Sequence, residues 1–446
     1  MKKWVKNIVI VALAALCVYQ TGRLWFDGAP RLNFLYVLGF NQVGGGHDAT
    51  VWRLSVPRRI LISEGGAIFT AAYSAVADTP QFAAGRDLIG QVLRNAEYHG
   101  TFHGADIRWG MILGGEAFVL DYGFSMPATA FAAALDAPHG VISSQIDNFN
   151  MVVLTPWLTG TMAFFVDSLS GDQRASYFWL DGCARADGLY APLERGRNLI
   201  YRPSELVGRH FVNMIFLPQS LPGGYNYAPA VAVSPMDDYH LNTQNVARLV
   251  MPFFDNPNVV LNDLRNFEFI FNDTHTIVRY QDTFHLYYQS WRPWRSRQPD
   301  TLEMAFAEAL LFMERDESLI NEFYLARFAY NGNEFRFYFN YIFNDLPIFL
   351  EERLRDQINM DAAIEITVAN GRVTRYKRYA MGFVPHHTRP PARANITYQA
   401  PINAWGVHDQ SLHTLYLTYV VDIPNSIIGL FYIAPYEGGQ LTFPAR

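Results

Sequence analysis

The densest cluster of side chains that could bind a metal ion lies near residue 100 of this 446-residue chain. It comprises Glu97, His99, His103 and Asp106, whose carboxylate and imidazole groups are ligand types that zinc uses. Histidines four residues apart share one face of a helix, but Gly100 and Gly104 would interrupt a helix here. The pattern favours a polar loop over a metal site, and we predict no metal and no cofactor.

Two glycine-containing segments approach known catalytic or binding motifs without completing them. Residues 44–46 are three glycines that lack the Gly-Lys-Ser/Thr of a phosphate-binding loop, so a turn is favoured. Residues 123–127, GFSMP, approach the nucleophile elbow of hydrolases, but Pro127 replaces the last glycine. Neither segment therefore predicts a catalytic centre.

The remaining reactive side chains are also better explained as structural. His386 and His387 lie in a proline-flanked segment, and adjacent histidines are poor joint ligands, which favours a solvated loop. Cys183 has no nearby base and fits a small buried apolar position. We predict no catalytic residue and no enzyme, although spacing alone leaves open a carboxylate pair of the glycosidase type.

The first element of the chain is its N-terminal apolar segment, residues 7–26, which is predicted to be a transmembrane helix. A helix of this length is about 30 Å long and matches a bilayer core. Lysines in residues 1–6 favour a cytoplasmic tail, which places the bulk of the chain outside the cytoplasm in a cell membrane. Ala15, Gly22 and Arg23 are the predicted partner-binding residues of the helix, because small residues permit close helix approach and Arg23 can reach the interface.

The residues of this segment disfavour two alternatives to an anchor. A cleaved signal peptide needs a small-x-small site after its apolar stretch, but Ala12-Leu13-Ala14 lies inside the stretch. A lipoprotein signal needs a small residue before the modified cysteine, but Leu16 precedes Cys17. An uncleaved anchor is therefore favoured.

Composition limits the class of protein and its partners. Half of the residues are apolar and 15% are aromatic, which is ample material for cores. The chain has 35 basic and 41 acidic residues, a net charge of −6, which argues against nucleic acid as a partner. Cys17 and Cys183 are the only cysteines, and Cys17 lies in the predicted anchor, so the ectodomain has no pair for an intramolecular disulfide.

Residues 31–198 are predicted to form an N-terminal mixed α/β domain. Helical spacing favours helices over residues 85–100 and 127–138. Alternating or β-branched runs predict strands in segments 31–40, 50–63, 67–74, 105–113, 116–124, 149–158 and 161–169.

Residues 199–300 are predicted to form a central α+β domain. A helix is expected from Asn242 to Pro252, and strands are expected in segments 210–218, 267–271, 275–280 and 284–290. Residues 290–300, SWRPWRSRQPD, have two prolines and no periodicity, which favours a linker. The alternative is that Trp291, Trp294 and three arginines rest on an anionic polymer or a membrane surface.

Residues 301–446 are predicted to form a C-terminal domain in which a helix packs on an antiparallel sheet. The helix covers 301–315 with Thr301 as its cap, and Asn370-Gly371 predicts a type I′ hairpin turn. Strands are expected in segments 321–330, 333–343, 346–350, 362–369, 372–380, 411–423 and 426–435. The aromatic strands are interpreted as core, with a carbohydrate- or lipid-binding face as the alternative.

Five segments together resemble the YycH family of Gram-positive envelope regulators. They are YQTGRLWF, VPRRILIS, LVMPFFDNPNVV, FIFNDTHTIVRY and FRFYFNYIFNDLPIFL. In that family an Asp-containing segment after a helix precedes a similar hairpin, and an aromatic strand follows, here at residues 346–350. The segment IEITVANGRVTRYKR also resembles strands of PepSY-like domains, the fold of the related YycI proteins.

The resemblance implies a membrane-anchored accessory protein of an essential two-component system for cell-wall metabolism. Such proteins act with a YycI-like membrane protein on a WalK-type sensor histidine kinase, and no catalytic residues are carried over. The expected fold class is α+β: a single N-terminal transmembrane helix, then a multi-domain extracytoplasmic region of antiparallel sheets with packed helices, its C-terminal part PepSY/YycI-like. The expected partners are that kinase, the YycI-like protein and membrane lipid. The alternatives are a binder of wall polymer or peptide and an exported hydrolase.

Overall fold

The structure is a computed structural model that describes most of the chain from residue 50 onward. The described ranges are 50–73, 76–137, 142–182, 188–193, 199–209, 211, 213–222, 224–234, 243–256, 258–263, 268–292, 301–386, 390–405, 415–421, 428–436 and 439–445. The predicted tail and anchor lie outside these ranges. No helix within them is long and apolar enough to cross a membrane.

Short helices connect or cover the strands. The α-helices are α1 Pro80–Asn95, α2 Trp109–Leu113, α3 Ala128–Ala134, α4 Ile142–Gln145, α5 Thr243–Val250, α6 Leu302–Met313, α7 Glu352–Ile358 and α8 Gln399–Trp405. Single 3₁₀ turns occupy Trp52–Ser55, Val76–Asp78, Gly104–Asp106, Glu205–Val207 and Met251–Phe253.

The first sheet has seven antiparallel strands in the order β2-β1-β4-β5-β6-β7-β3. Its strands are β1 Arg59–Glu64, β2 Thr70–Ala72, β3 Glu97–His103, β4 Glu116–Pro127, β5 Asn148–Trp157, β6 Gly160–Asp167 and β7 Arg174–Leu180. The middle of β4 and β5 is buried almost throughout. Such continuous apolar strands need cover on both faces, and α1 lies so close to β4 that Gly85 is in contact with the ring of Phe118.

The second sheet contains the C-terminal strands and those of residues 260–290. Its order is β12-β13-β14-β15-β20-β19-β17-β18-β23-β24-β25, with β16 also paired to β17. Its strands are β12 Val260–Asp263, β13 Glu268–Asn272, β14 Thr276–Gln281, β15 His285–Ser290, β16 Phe323–Tyr330, β17 Phe335–Phe343, β18 Leu346–Leu350, β19 Ile364–Ala369, β20 Arg372–Tyr379, β23 Tyr416–Val421, β24 Gly429–Tyr436 and β25 Gly439–Pro444.

Three short antiparallel ribbons complete the described strands. They are β8 Leu199–Pro203 with β9 Phe216–Ser220, β10 Tyr225–Tyr227 with β22 Ala392–Ala394, and β11 Ala230–Val233 with β21 Gly382–Pro385. The expected α+β class with antiparallel sheets and packed helices is confirmed at this level. One pairing departs from it, since β18 and β23 are parallel. Residues 50–446 form one compact unit, and the boundaries predicted within it stay a prediction.

Several local predictions for the C-terminal half are confirmed. Thr301 caps α6 and accepts a hydrogen bond from the Met304 amide. Asn370 and Gly371 have φ of 52° and 73°, as a type I′ turn requires. The aromatic strands line a core, because Phe337 of β17 lies 5.4 Å from Phe306 of α6, measured between ring centroids.

Three predictions for the N-terminal half are wrong in part. Segment 50–63 forms a strand only from Arg59 onward, because Trp52–Ser55 form a 3₁₀ turn. Segment 105–113 forms the end of a 3₁₀ turn and then α2 rather than a strand, because Trp109, Ile112 and Leu113 have the spacing of one helix face. The helix expected over 85–100 is α1, which begins at Pro80 after the Thr79 cap and ends at Asn95. Residues 97–100 belong instead to strand β3.

Candidate functional site

Two adjacent arginines and one aspartate form a buried ion cluster, here called the arginine cluster, made of Arg58, Arg59 and Asp121. Their side chains are 9%, 6% and 5% exposed. Arg58 Nη2 and Arg59 Nε donate to the same oxygen, Asp121 Oδ2, over 2.8 and 2.7 Å. Two guanidinium groups therefore share one carboxylate.

Strand pairing and one glycine place these side chains. Arg59 is the first residue of β1 and lies opposite Asp121 of β4. The pairing of β4 with β5 is irregular between Asp121 and Met126, and Gly123 in this segment has φ of +71°. A Cβ on Gly123 would lie 2.5 Å from the guanidinium carbon of Arg58, so close approach of this side chain requires glycine.

All three groups of the arginine cluster are charged. Burial disfavours the charge of Arg58, but Asp121 and the nearby hydroxyls of Tyr416, Tyr73 and Tyr324 together outweigh this effect, so the pKa of Arg58 is raised well above its ordinary value. Burial would raise the pKa of Asp121, but the combined effect of Arg58 and Arg59 is larger and of opposite sign, so this pKa lies below its ordinary value. The cluster therefore carries a surplus of one positive charge.

Aromatic side chains surround the two guanidinium groups. Arg58 Nη1 donates to the Tyr416 hydroxyl over 3.0 Å, and the Tyr416 ring centroid is 5.2 Å from the guanidinium carbon. Arg59 Nη1 donates to the Tyr73 hydroxyl over 2.8 Å, and its guanidinium lies 5.3 Å from the Tyr201 ring centroid. Since Tyr416 belongs to β23, the arginine cluster joins the first sheet to the second.

A cleft of about 200 Å³ lies beside the arginine cluster. Its lining includes all three charged residues, the amides of Asn150 and Asn213, and several apolar side chains. Asn150 Oδ1 accepts hydrogen bonds from the Ser168 amide and hydroxyl, over 2.7 and 3.2 Å. Among the described lining residues there is no histidine, cysteine or second carboxylate. Arg58 and Arg59 therefore offer the cleft cationic hydrogen-bond donors that are largely shielded from solvent.

The structure does not bring the predicted metal-ligand candidates together. Glu97 and His99 lie on β3 with 4.0 Å between Oε2 and Nε2, whereas His103 lies 3.8 Å from Asp172 of the β6–β7 turn. In the described ranges, no group of three or more histidine, cysteine, aspartate or glutamate side chains could hold a metal ion.

The other candidate segments are only partly described. Residues 123–127 lie within β4 and form no strand-turn-helix elbow. His386 donates its amide to the Pro229 carbonyl over 2.8 Å. Arg292 of the expected linker is bonded to Asp255, and Trp291 is 54% exposed. Ala15, Gly22, Arg23, residues 44–46, Cys183, Trp294 and His387 lie outside the described residues.

Sequence reasoning missed the arginine cluster, although Arg59 and Asp121 stand in the parts of segments 50–63 and 116–124 that form strands, and Arg58 directly precedes β1. The available signal was charge inside apolar runs: two arginines before ILIS and one aspartate after FVL. Charged side chains in a fully buried strand are expected to be paired. Sequence alone does not say that Asp121 would be shared by both arginines.

Comparisons with known proteins give one fold-level match. No family model matches the chain, and no curated protein matches it. The solved structure of YycH from Bacillus subtilis matches with a TM-score of 0.51 and 10% sequence identity, and the match covers 87% of this chain and 96% of that one. The extent of this match confirms the resemblance at the level of fold: the chain has a YycH-like fold.

Proposed function

We propose that this chain is a membrane-anchored, extracytoplasmic accessory regulator of a cell-wall two-component system. In this proposal it modulates a WalK-type sensor histidine kinase by protein–protein contact. The observation that carries the proposal is the YycH-like fold, matched over 87% of the chain. The five short segments that resemble the YycH family lie between residues 19 and 350 and support the same proposal.

The proposed mechanism assigns the contact with the kinase to residues 7–26. Ala15 and Gly22 are seven residues apart, so in a helix they lie on the same face, with Arg23 beside Gly22. Small residues on one face favour close packing against kinase helices. Such packing shifts the kinase between two signalling states only if the contacts differ between those states.

The ectodomain is proposed to bind a YycI-like membrane protein. The proposed domains are 31–198, 199–300 and 301–446, the last being PepSY/YycI-like. The described part of the chain offers two broad sheets with packed helices as the surface for this contact. No catalytic step forms part of the proposal.

Photo-crosslinking in cells tests the proposed contact. A photoreactive amino acid is placed at Ala15 or Gly22 of the full chain, with the sensor kinase co-expressed. Leu13 and Cys17 serve as controls, because an ideal helix turns them roughly 160° to 200° away from Ala15. We expect a kinase adduct from Ala15 and Gly22 and much less from the two controls.

Two results would contradict the proposal. If none of the four positions gives a kinase adduct while the chain is present in the membrane fraction, the helix contact is wrong. If the mature chain is cleaved near residue 26 and released, the anchored location is wrong as well.

A further inference from the structure

We infer that the cleft beside the arginine cluster binds one small oxyanion, a carboxylate or a phosphate-type group. The cluster places Arg58 and Arg59 against a single carboxylate, Asp121, and all three side chains are more than nine-tenths buried. A buried charge without a counter-charge is costly. Asp121 is the one carboxylate among the described residues that line the cleft, so a bound anion would balance the remaining positive charge.

Another buried arginine, Arg378, is fully paired within the protein. Arg378 and Asp316 are each 1% exposed and form a one-to-one ion pair. The three nitrogens of Arg378 all have protein partners: Nε donates to the Tyr341 hydroxyl, Nη1 to Ser318 Oγ, and Nη2 to the Ser318 carbonyl. Charge and hydrogen bonds are both complete there.

The arginine cluster differs from that pair on both counts. It has two guanidinium groups for one carboxylate, and Arg58 Nε is buried without a hydrogen-bond partner among the described residues. A buried donor that makes no hydrogen bond costs free energy. An anion in the cleft would supply the missing charge.

The dimensions of the cleft limit the ligand. Its volume of about 200 Å³ is below the range of roughly 300–1,000 Å³ that is typical of sites for drug-sized molecules. Guanidinium groups bind carboxylates and phosphates well, because their planar donors match both kinds of oxygen pair. The ligand is therefore a small anion or the anionic end of a larger molecule.

The position of the cleft predicts what binding would do. Its lining comes from the start of β1, from β4 and β5, from Leu169 after β6, from residues 213–216 at the start of β9, and from Tyr416 of β23. An anion held there would stabilise the junction of the two sheets. This inference goes beyond the proposed regulatory role and does not depend on it.

The test is an anion titration of the full chain purified in detergent. Thermal unfolding is followed while sodium phosphate or sodium acetate is raised to tens of millimolar, with ionic strength held constant by sodium chloride. We expect a saturable rise of the midpoint with at least one of the two salts, since a ligand that binds only the folded chain stabilises it. Saturation by phosphate alone identifies a phosphate-type ligand, and saturation by acetate alone identifies a carboxylate.

Two variants change the charge of the cleft in opposite directions. Asn150→Asp adds a carboxylate to the lining and keeps the oxygen that accepts from Ser168. We expect it to weaken anion binding by about tenfold or more, the effect of roughly 1.4 kcal/mol. Asp121→Asn removes the internal carboxylate, and we expect tighter anion binding if this variant folds.

Asn256→Asp is the matched control, because Asn256 Oδ1 also accepts a backbone hydrogen bond, from the Asn258 amide over 2.9 Å, and Asn256 does not line the cleft. It should bind the anion as the unmodified chain does. The inference is overturned if neither salt gives a saturable rise in the unmodified chain. It is also overturned if Asn150→Asp and Asn256→Asp respond equally, since a general salt effect would then explain the rise.

Discussion

Replacing Asp121 by asparagine should destabilise the chain by about 3–5 kcal/mol, the usual cost of removing one partner from a buried ion pair. Asparagine keeps the size of the side chain but removes the charge that two guanidinium groups share. Arg58 and Arg59 donate to Asp121 over 2.8 and 2.7 Å, and the carboxylate is only 5% exposed. Water therefore has little access to compensate the two cations that remain.

An Arg–Asp hydrogen bond of the same length at the surface provides the control. Arg327 Nη2 donates to Asp361 Oδ2 over 2.7 Å, but the two side chains are 52% and 65% exposed. Asp361→Asn should cost less than about 1 kcal/mol, because water screens exposed ion pairs. Urea unfolding of the full chain, followed by tryptophan fluorescence, compares the two midpoints. Equal shifts for the two variants would refute the argument that burial makes the arginine cluster costly to break.

Asp121 should also contribute to acid sensitivity. Burial would raise its pKa, but Arg58 and Arg59 lower it below the ordinary value. The stabilisation is therefore complete above the unfolded-state pKa of about 3.9 and is lost as the pH falls through the lower folded-state pKa. Asp121→Asn should remove this loss, and an unchanged acid limb of the unfolding midpoint would contradict the assignment.

Two further variants test other parts of the fold. Burial, with a smaller contribution from Lys377, lowers the pKa of His285 to about 4. Because an unfolded histidine titrates near 6.5, stability should fall as the pH is lowered from about 6.5 to about 4. His285→Gln should flatten this part of the pH profile of the urea midpoint. Gly123→Ala should cost about 1–3 kcal/mol, because its Cβ would lie 2.5 Å from the Arg58 guanidinium carbon and because alanine is strained at a φ of +71°. Gly171→Ala, with open space around it and no positive φ, should change thermal stability by less than about 0.5 kcal/mol. Equal midpoints for the two alanine variants would contradict the close approach at Gly123.

Much of the second sheet could be predicted because local signals and tertiary structure agree there. The Asn370-Gly371 turn separates two alternating strands, and the Thr301 cap marks the start of α6. The parallel pairing of β18 with β23 could not be predicted, because some 65 residues separate the two strands and no local pattern encodes such a contact. Segment 105–113 was misassigned because its short apolar run fits a strand as well as one helix turn.

The arginine cluster shows the limit of sequence reasoning about sites. Histidines and carboxylates that are close together along the chain need not be close in the fold: His103 lies 3.8 Å from Asp172, which is 69 residues away along the chain. The cluster joins Arg58 to Asp121 and Tyr416, which are 63 and 358 residues away. Such a site depends on strand register and on the irregular segment of β4 at Gly123, and neither is visible in residue spacing.

Signalling output in cells tests the regulatory account most directly. The phosphorylated fraction of the response regulator is measured in cells with the full chain, without it, and with residues 7–26 replaced by an unrelated membrane span. The account predicts a several-fold change when the chain is absent, and the same change when only the span is replaced. An unchanged phosphorylated fraction in cells without the chain would contradict it.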